Sequence, residues 1–473
     1  MSALTILLAL LPTVAAEGTS AHPNIVLVFI DDMGWGDFSC FGNTAVSTEN
    51  IDRLAAEGLR FTRFYVNAPI CSPSRAAIST GQYPQRWRIG SYLSDRAENE
   101  RRGIAHWLDP SAPMLARFLK QAGYATGHFG KWHLGGQRDV AEAPLITEYG
   151  FDVSLTNFEG LGPRVLPLCH APNGKPPRPH ALGSDKLGRG PITWEDRSQV
   201  TTSFVNAALE FIRSAESQGK PFYVNLWPDD VHSPYYPPPD RRGKGDKRDL
   251  YLGVLDCMDE QLAPLFDYLR QKTSLRQNTL VLVCSDNGPE PGAGTAGRFR
   301  GAKTMLYEGG IRSPLVVWGP GLLPPEKAGQ RVDSSFFAAV DLVPSLLTIG
   351  GVQPPVDVQF DGEDLSAVLL GKTTASRRAP LYFRRPPDRP GERGEDLPDL
   401  AVCDGHWKLL CEFDGTQPQL YDLNRDPSET TNLANRHPEV VGRLTSALLA
   451  WYQSLPPDNG PHIRPNIGKA IVK

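Results

Sequence analysis

The sequence NIVLVFI at residues 24–30 is followed at once by Asp31 and Asp32. An unbroken apolar run of this length, rich in β-branched residues, is typical of a strand that is buried on both faces. A second run of the same kind, TLVLVC at 279–284, leads into SDNG at 285–288. Strands buried on both faces belong to sheets that helices cover on both sides, so these two stretches predict an α/β fold.

The rest of the chain repeats a strand, loop and helix pattern around these two runs. Further strands are predicted at 124–129, 222–227 and 315–318, and helices at 48–58, 111–122, 200–214 and 250–271, the last interrupted or kinked at Pro264. Long loops are predicted at 96–102, 160–191, 233–247 and 384–398, where charged residues, proline or glycine are concentrated. Strands at 400–403, 407–412 and 420–422 and a helix at 438–454 complete the pattern.

Length and composition limit the class of protein. A chain of 473 residues suits one large domain and a smaller one, and a formal net charge of −4 gives no case for a nucleic-acid partner. Residues 4–16 are apolar and end in small residues, so 1–16 is predicted to be an export signal peptide, with a buried or disordered N-terminus as the alternative. No stretch is long and apolar enough for a membrane span. We expect an exported protein, periplasmic or secreted, or in a lysosome-type lumen if the source is a eukaryote.

The ends of the two buried runs carry the first candidate site. Asp31 and Asp32 follow one run, and Asp286 and Asn287 follow the other. Ligands gather at the carboxyl ends of strands in open α/β sheets, where these side chains would form a cluster of oxygen donors. Such a cluster suits Ca²⁺ or Mg²⁺ rather than zinc, because it offers no sulfur or imidazole. The alternative is that Asp-Asp and Asp-Asn-Gly are ordinary turn residues.

The second candidate is Cys71 in the segment CSPSR at 71–75. The cation of Arg75 favours a thiolate, so Cys71 could be a reactive cysteine, or equally a structural cysteine that precedes a helix. Residues 74–80 resemble a helix start, which would direct N-terminal amide groups towards an anion bound near Cys71.

Further candidates are cations and imidazoles that follow predicted strands. GYATGHFGKWH at 123–133 places Lys131 and His133 two residues apart, so that they point to the same side of an extended chain. His232 comes just after the strand at 222–227, and Lys303 lies in the loop RGAK at 300–303. Each of these residues alone is more often a solvated or structural residue. Together, around an oxygen-liganded metal, they describe a pocket for a tetrahedral anion.

These segments resemble the type I, formylglycine-dependent sulfatases of the alkaline phosphatase-like superfamily. CSPSR matches the family signature Cys-x-Pro-x-Arg, 123–133 matches its second signature, and LYDL at 420–423 with Asp426-Pro427 extends the resemblance over almost the whole chain. With MGWGD at 33–37, the overall sequence pattern most resembles that of the N-acetylgalactosamine-6-sulfatases, arylsulfatases and bacterial polysaccharide sulfatases. The resemblance implies a large, mixed, mostly parallel sheet sandwiched by helices, with a smaller C-terminal α+β subdomain on an antiparallel sheet. The implied division is a catalytic domain at 22–375 and a subdomain at 376–473.

The resemblance also implies a chemistry and a role for each candidate. A formylglycine-generating maturation enzyme would oxidise Cys71 to formylglycine, whose hydrate attacks sulfur and later expels sulfate by re-forming the aldehyde. The implied metal is Ca²⁺, with Mg²⁺ possible, and its ligands would be Asp31, Asp32, Asp286, Asn287 and the modified Cys71. Arg75 and Lys131 would hold the hydrate, His133 would accept its proton, and Lys131, His232 and Lys303 would bind substrate. Of these, His232 suits protonation of the leaving oxygen better than Lys303, because histidine titrates near neutrality.

The substrate implied by export and by the family is a sulfated carbohydrate, and we favour galactose or N-acetylgalactosamine 6- or 4-sulfate. His170, His180, Trp107, Trp194 and Tyr236 are candidates for sugar contacts. The alternatives are a phosphate or phosphonate monoester hydrolase of the same superfold, a non-catalytic glycan-binding relative and a thiol-based hydrolase.

Overall fold

The computed structural model describes residues 22–170, 176–386 and 397–459. The predicted leader at 1–16 and most of the predicted loop at 384–398 lie outside these ranges. No helix in the described ranges is both long enough and apolar enough to cross a lipid bilayer.

Two sheets organise the described residues. The larger has twelve strands: β1 (Asn24–Ile30), β2 (Leu59–Tyr65), β3 (Ala125–Gly130), β4 (Val153–Thr156), β5 (Arg164–Cys169), β6 (Arg178–Pro179), β7 (Ile192–Asp196), β8 (Phe222–Trp227), β9 (Thr279–Ser285), β10 (Arg312–Trp318), β11 (Gln330–Val332) and β12 (Phe337–Ala338). The smaller has four: β13 (Leu381–Arg384), β14 (Leu400–Asp404), β15 (Trp407–Cys411) and β16 (Gln419–Asp422).

The helices of the described ranges are α1 (Glu49–Glu57), α2 (Cys71–Thr80), α3 (Arg96–Arg102), α4 (Leu115–Gln121), α5 (Val200–Ser217), α6 (Lys247–Gln271), α7 (Thr273–Gln277), α8 (Glu308–Ile311), α9 (Ala339–Ile349), α10 (Ser366–Leu369) and α11 (Pro438–Gln453).

The large sheet is mixed but mostly parallel. Its strand order is β11-β2-β10-β9-β1-β8-β3-β4-β5-β6, with β12 beside β2 and β7 beside β5. The central strands β9, β1, β8 and β3 are all parallel, whereas β10 runs antiparallel to both of its neighbours. Because the four central strands are parallel, their carboxyl ends meet at one edge of the sheet.

The core lies on both faces of this sheet. Along β1, Leu27 and Phe29 pack into one apolar cluster, while Val26 and Val28 pack into another, as alternation along a strand requires. The first cluster is covered by α4 and α9, and the second by α1, α5 and α6. This arrangement confirms the predicted α/β fold with helices on both faces.

The second sheet is antiparallel throughout, in the order β13-β14-β15-β16. Helix α11 contacts β14 and β15, and its Leu444, Leu448 and Trp451 pack into the apolar cluster of that sheet. The smaller antiparallel unit is therefore confirmed, while the boundary predicted after residue 375 stays a prediction.

Several predicted elements differ from the structure. Residues 96–102 form helix α3 instead of a loop, because the Asp95 carboxylate caps the Glu98 amide and Gly103, at φ +66°, ends the helix. The helix predicted from residue 111 begins at Leu115, after a turn in which Asp109 accepts the Ser111 amide. The predicted loop at 160–191 contains β5 and β6. Helix α6 continues through Pro264 without interruption.

A fully buried ionic cluster joins the two sheets. Glu308 accepts a hydrogen bond of 2.7 Å from the Tyr65 hydroxyl of the large sheet and lies 3.0 Å from Arg312. Lys408, on β15 of the small sheet, places its ammonium 3.0 Å from Glu308 and 2.9 Å from Glu429. Charges of opposite sign compensate each other in this buried cluster, so the cluster holds the two sheets in a fixed relative position.

Replacing Lys408 by methionine should destabilise the protein strongly. Lys408→Met leaves the buried Glu429 carboxylate without its cation and Glu308 with Arg312 alone, a change that costs about 3–5 kcal/mol of the free energy of unfolding. Arg443→Met is the matched control, because Arg443 pairs with Asp404 at the surface, where such a pair contributes roughly 0–1 kcal/mol. Denaturant unfolding followed by tryptophan fluorescence measures both. Equal losses in the two variants would contradict the structural role given to the cluster.

Candidate active site

The candidate site forms where the central parallel strands end. The register pairs Ile30 of β1 with Ser285 of β9, and the Asp286 amide donates to the Ile30 carbonyl at 3.0 Å. Asp31 and Asp286, the next residues of each strand, therefore lie side by side. Lys131 follows β3 directly, and the loop after β8 carries His232 to the same edge.

Helix α2 delivers Cys71 to this edge. The helix begins at Cys71 itself, three residues before the predicted start, and all of its residues are buried. The Cys71 sulfur and one oxygen each of Asp31 and Asp286 lie within 4.8 Å of one another. A buried helix N-terminus thus faces the carboxylate cluster, and its first side chain is unpaired Cys71.

Arg75, one turn further along α2, binds the cluster from behind. One of its terminal nitrogens lies 2.9 Å from Asp286 Oδ2 and 3.2 Å from Asp31 Oδ1, and the other donates to the Lys131 carbonyl at 2.9 Å. Its guanidinium also lies over the Trp227 ring, 5.2 Å from the centroid. Arg75 is fully buried, so these contacts fix its position relative to both aspartates.

Two lysines complete the charge balance. The Lys131 ammonium donates to Asp31 Oδ2 at 2.5 Å, and the Lys303 ammonium donates to Asp32 Oδ2. Burial alone would lower the pKa of both lysines, but the adjacent carboxylates, Asp31 for Lys131 and Asp32 for Lys303, raise each pKa above its ordinary value. Both lysines are therefore cations at neutral pH.

The oxygen donors fit a hard divalent cation. Asp32 Oδ1 accepts the Asn287 amide at 2.8 Å, and Asp286 Oδ1 accepts the Asp32 backbone amide at 3.0 Å, so neighbouring groups orient these side chains. Oδ1 of Asp31 and Oδ1 of Asn287 are buried and accept no hydrogen bond. Burial and the neighbouring Asp31 charge raise the pKa of Asp286 well above its ordinary value. A buried site with crowded carboxylates and unsatisfied oxygens is what Ca²⁺ or Mg²⁺ would complete.

His133 is held as a neutral imidazole. Its Nε2 donates to the Leu93 carbonyl at 2.9 Å, which places the ring hydrogen on Nε2, and its Nδ1 is buried without a hydrogen-bond partner. Burial and the charge of Lys131 lower its pKa well below the ordinary value. The Leu93 segment is fixed in turn by its amide, which donates to Ser72 Oγ at 3.0 Å. Nδ1 therefore keeps a free lone pair.

His232 is oriented by its own loop. Its Nδ1 donates to the Ser233 carbonyl at 2.7 Å, and its Nε2 lies 3.6 Å from Asp32 Oδ2. The His232 amide donates to the carbonyl of Asp229, whose carboxylate forms a buried pair of 3.0 Å with Arg197. Burial and the two lysine ammonium groups lower the pKa of His232.

A pocket of about 410 Å³ opens above these groups. The lining residues are Ile70, Cys71, Tyr92, Lys131, His133, Arg138, Phe158, Glu159, His180, Leu182, His232, Ser233, Glu290, Lys303 and Thr304. Of the predicted sugar contacts, only His180 is among them. Nε2 of His170 instead lies 2.9 Å from the Asp196 carboxylate.

The structure thus brings together every residue predicted for the reaction centre: Asp31, Asp32, Cys71, Arg75, Lys131, His133, His232, Asp286, Asn287 and Lys303. Sequence reasoning missed Tyr92, Arg138, Phe158, Glu159, Leu182 and Glu290, which also line the pocket. These residues lie in loops and carry no motif, so no local signal marks them. Ser72 was missed although it lies inside the CSPSR segment.

Comparisons with known proteins identify the family of this chain. The model of the sulfatase family matches residues 23–352, and that of the N-sulphoglucosamine sulphohydrolase C-terminal region matches 296–453. The N-acetylgalactosamine-6-O-sulfatase of Bacteroides thetaiotaomicron is 30% identical over 91% of this chain and 93% of its own length. The N-acetylgalactosamine-6-sulfatase of Rattus norvegicus is 34% identical over 93% of this chain and 88% of its own.

The same relationship appears in solved structures. The PsFucS1 sulfatase from Pseudoalteromonas sp. superposes with a TM-score of 0.71 and 26% identity, covering 92% of both chains. The family match, the curated relatives and the fold all support the same family assignment. The chain belongs to the sulfatase family of sulfuric ester hydrolases, within the alkaline phosphatase-like superfamily.

Proposed function

We propose that this enzyme removes sulfate from a sulfated carbohydrate, with galactose or N-acetylgalactosamine 6- or 4-sulfate preferred, through a formylglycine made from Cys71 and a bound Ca²⁺. The observation that carries the proposal is the juxtaposition, in one pocket, of Cys71, an oxygen cluster and the cations of Lys131 and Lys303. Export of the chain and maturation by a formylglycine-generating enzyme belong to the same proposal, as does Mg²⁺ as an alternative metal. The names of the relatives support the choice of sugar.

The residues of the oxygen cluster would hold both the metal ion and the formylglycine made from Cys71. Asp31, Asp32, Asp286 and Asn287 would ligate the metal together with the modified Cys71. When present, the ion would polarise sulfate oxygens, and the hydrated aldehyde would supply the nucleophilic oxygen. Arg75 stabilises this arrangement, because its guanidinium already contacts two of the carboxylates.

The cations that line the pocket would bind the sulfate group. Lys131 and Lys303 are protonated at neutral pH, so they offer ammonium donors to an ester that carries one negative charge. His232 directs its Nε2 away from the Ser233 carbonyl that holds Nδ1. Lys303 holds its proton too tightly to release it to a leaving alcohol, which leaves His232 as the general acid once its Nε2 is also protonated.

His133 is suited to accept a proton. Its Nδ1 lone pair is free, and its Nε2 hydrogen is fixed by the Leu93 carbonyl, so the ring has one available basic atom in one orientation. Lys131 and burial keep the ring neutral before the reaction. A base in the correct protonation state is therefore present without any rearrangement.

Properties of the site distinguish the proposed sulfatase from the alternative functions. Burial raises the pKa of Cys71 to about 12, so the unmodified thiol is protonated at neutral pH and is a poor nucleophile. This disfavours a thiol hydrolase. A non-catalytic relative would lack some of the reactive groups, whereas this chain has all of them. A phosphate ester carries up to two negative charges against one for a sulfate ester, so matched substrates separate the two activities.

Sulfate release from defined sugars tests the function directly. We expect the matured enzyme to release sulfate from galactose or N-acetylgalactosamine 6- or 4-sulfate, and to cleave an aryl sulfate faster than the matched aryl phosphate. Ion chromatography of released sulfate and phosphate measures both. Faster phosphate release would favour the phosphohydrolase alternative.

Cys71 is tested by mass and by mutation. We expect the Cys71 peptide from a maturation-competent host to show the thiol sulfur and two hydrogens replaced by one oxygen. Cys71→Ala should abolish turnover and leave the circular dichroism spectrum unchanged, since the side chain makes no disulfide. Cys284→Ala is the control, because Cys284 is a buried cysteine of the sheet that should be dispensable for chemistry. Activity in Cys71→Ala would exclude the proposed nucleophile.

Metal binding is tested by thermal stability as well as activity. Removing metal should abolish turnover, and adding Ca²⁺ should restore it and raise the melting temperature, because a ligand that binds only the folded state stabilises it. Asp286→Asn should remove the calcium-dependent rise. Asp37→Asn is the matched control: Asp37 is equally buried, but its oxygens already accept the Gly34 and Thr295 amides, so the rise should remain. An unchanged rise in Asp286→Asn would contradict the metal role.

His133 is tested by an isosteric change. In His133→Gln the side-chain amide can still donate to the Leu93 carbonyl, but no basic nitrogen remains. We expect kcat to fall by roughly 10²–10⁴-fold, the usual contribution of a positioned general base, with little change in the affinity for sulfate. A kcat within a few-fold of the wild type would rule out this base.

A further inference from the structure

Arg138, in the loop after β3, differs from the other cations of the pocket. Lys131 and Lys303 each form an ion pair with an aspartate of the oxygen cluster. Arg138 lines the same pocket, but its guanidinium donates no hydrogen bond and forms no ion pair within the described part of the chain. Its Nε is buried and unsatisfied. A partly buried guanidinium without an ion pair or a hydrogen-bond acceptor lacks the direct partners that such groups normally have.

The surroundings of Arg138 supply that compensation only in part. Glu159 is the nearby carboxylate of the pocket and is close enough for Arg138 to act on its pKa, but no ion pair or hydrogen bond joins the two, and burial raises the pKa of Glu159. His180, which also lines the pocket, packs its ring edge against Phe158 at 5.0 Å. Burial lowers the pKa of His180, so this ring is neutral. Within the described ranges, the guanidinium of Arg138 is therefore a pocket cation whose N–H groups lack an acceptor that a ligand could supply.

We propose that Arg138 determines specificity by binding a second anionic group, a sulfate or a carboxylate, on the substrate or on the adjoining sugar. The guanidinium presents several N–H donors in a planar fork, which matches either oxyanion. Pockets of about 300–1,000 Å³ bind drug-sized ligands. The pocket here has a volume of about 410 Å³ and is lined by both Cys71 and Arg138, so one sugar ligand can contact both residues. The substrate class is thus an acidic glycan with at least two anionic groups close together. This inference rests on the proposed function, since it concerns the same pocket.

The test compares substrates that differ by one anion. The probes are N-acetylgalactosamine 6-sulfate, its 4,6-disulfate, and a uronic acid disaccharide of N-acetylgalactosamine 6-sulfate. We expect the wild type to favour a probe with the second anion by about 10- to 100-fold in kcat/KM, the effect of a hydrogen bond to a charged group. The disulfate and the uronate probe separately show whether the second group is a sulfate or a carboxylate.

Variants test whether Arg138 causes the preference for probes with a second anionic group. Arg138→Gln should reduce the ratio of kcat/KM between dianionic and monoanionic probes to near one, and Arg138→Lys should restore part of it. Arg53→Gln, which removes the same charge from the surface of α1, is the matched control and should keep the wild-type ratio. Equal loss on all probes in Arg138→Gln would assign Arg138 a positioning role and overturn the proposal. A wild type without preference would overturn it as well.

A binding measurement separates this inference from the proposed function. If the wild type releases no sulfate from any probe, the proposed function fails. Calorimetry of the same three probes with Cys71→Ala protein, with and without Arg138→Gln, then still decides the role of Arg138. Tighter binding of a dianionic probe that depends on Arg138 supports the inference, and equal binding of all probes overturns it.

Discussion

The structure depends on charge balance among buried side chains at one edge of a parallel sheet. Asp31, Asp32 and Asp286 are fully buried, and a buried carboxylate is tolerated only with a partner. Arg75, Lys131 and Lys303 supply that partner charge from three separate segments. The helix that carries Arg75 must therefore pack against the strand ends, which fixes the position of its first residue, Cys71.

The same balance explains why the cysteine is an inert thiol before any modification. Cys71 lies beside carboxylates and cations that largely cancel, so burial dominates and raises its pKa. The site offers little support for a thiolate, although Lys131 and Lys303 are close enough to act against the rise in its pKa. An oxygen nucleophile at this position would meet Lys131, Arg75 and the oxygen cluster without rearrangement of the fold.

Much of this could be predicted from the sequence, for physical reasons that differ from part to part. The strands at 24–30 and 279–284 are apolar without interruption, so their burial and the clustering of the aspartates after them follow from pattern alone. Helix α3 was missed because its residues are nearly all charged, and its capping by Asp95 outweighs the absence of an apolar stripe. Arg138 and Glu159 could not be predicted as pocket residues, because they line the same pocket only after two separate loops have folded. Ser72 was within reach, but its partner is a backbone amide of Leu93, which sequence does not display.

The two histidines show how the cations of the site act on neighbouring groups. Burial and the charge of Lys131 lower the pKa of both His133 and His232, so both rings are biased towards the neutral form. Their remaining contacts differ. Nε2 of His232 lies 3.6 Å from Asp32 Oδ2, and Lys303 lowers the pKa of this ring further, whereas Nε2 of His133 is committed to the Leu93 carbonyl. The proposed binding of a sulfate ester to Lys131 and Lys303 would offset both lysine charges at His232 but only one at His133, which would favour His232 as the proton donor and His133 as the proton acceptor.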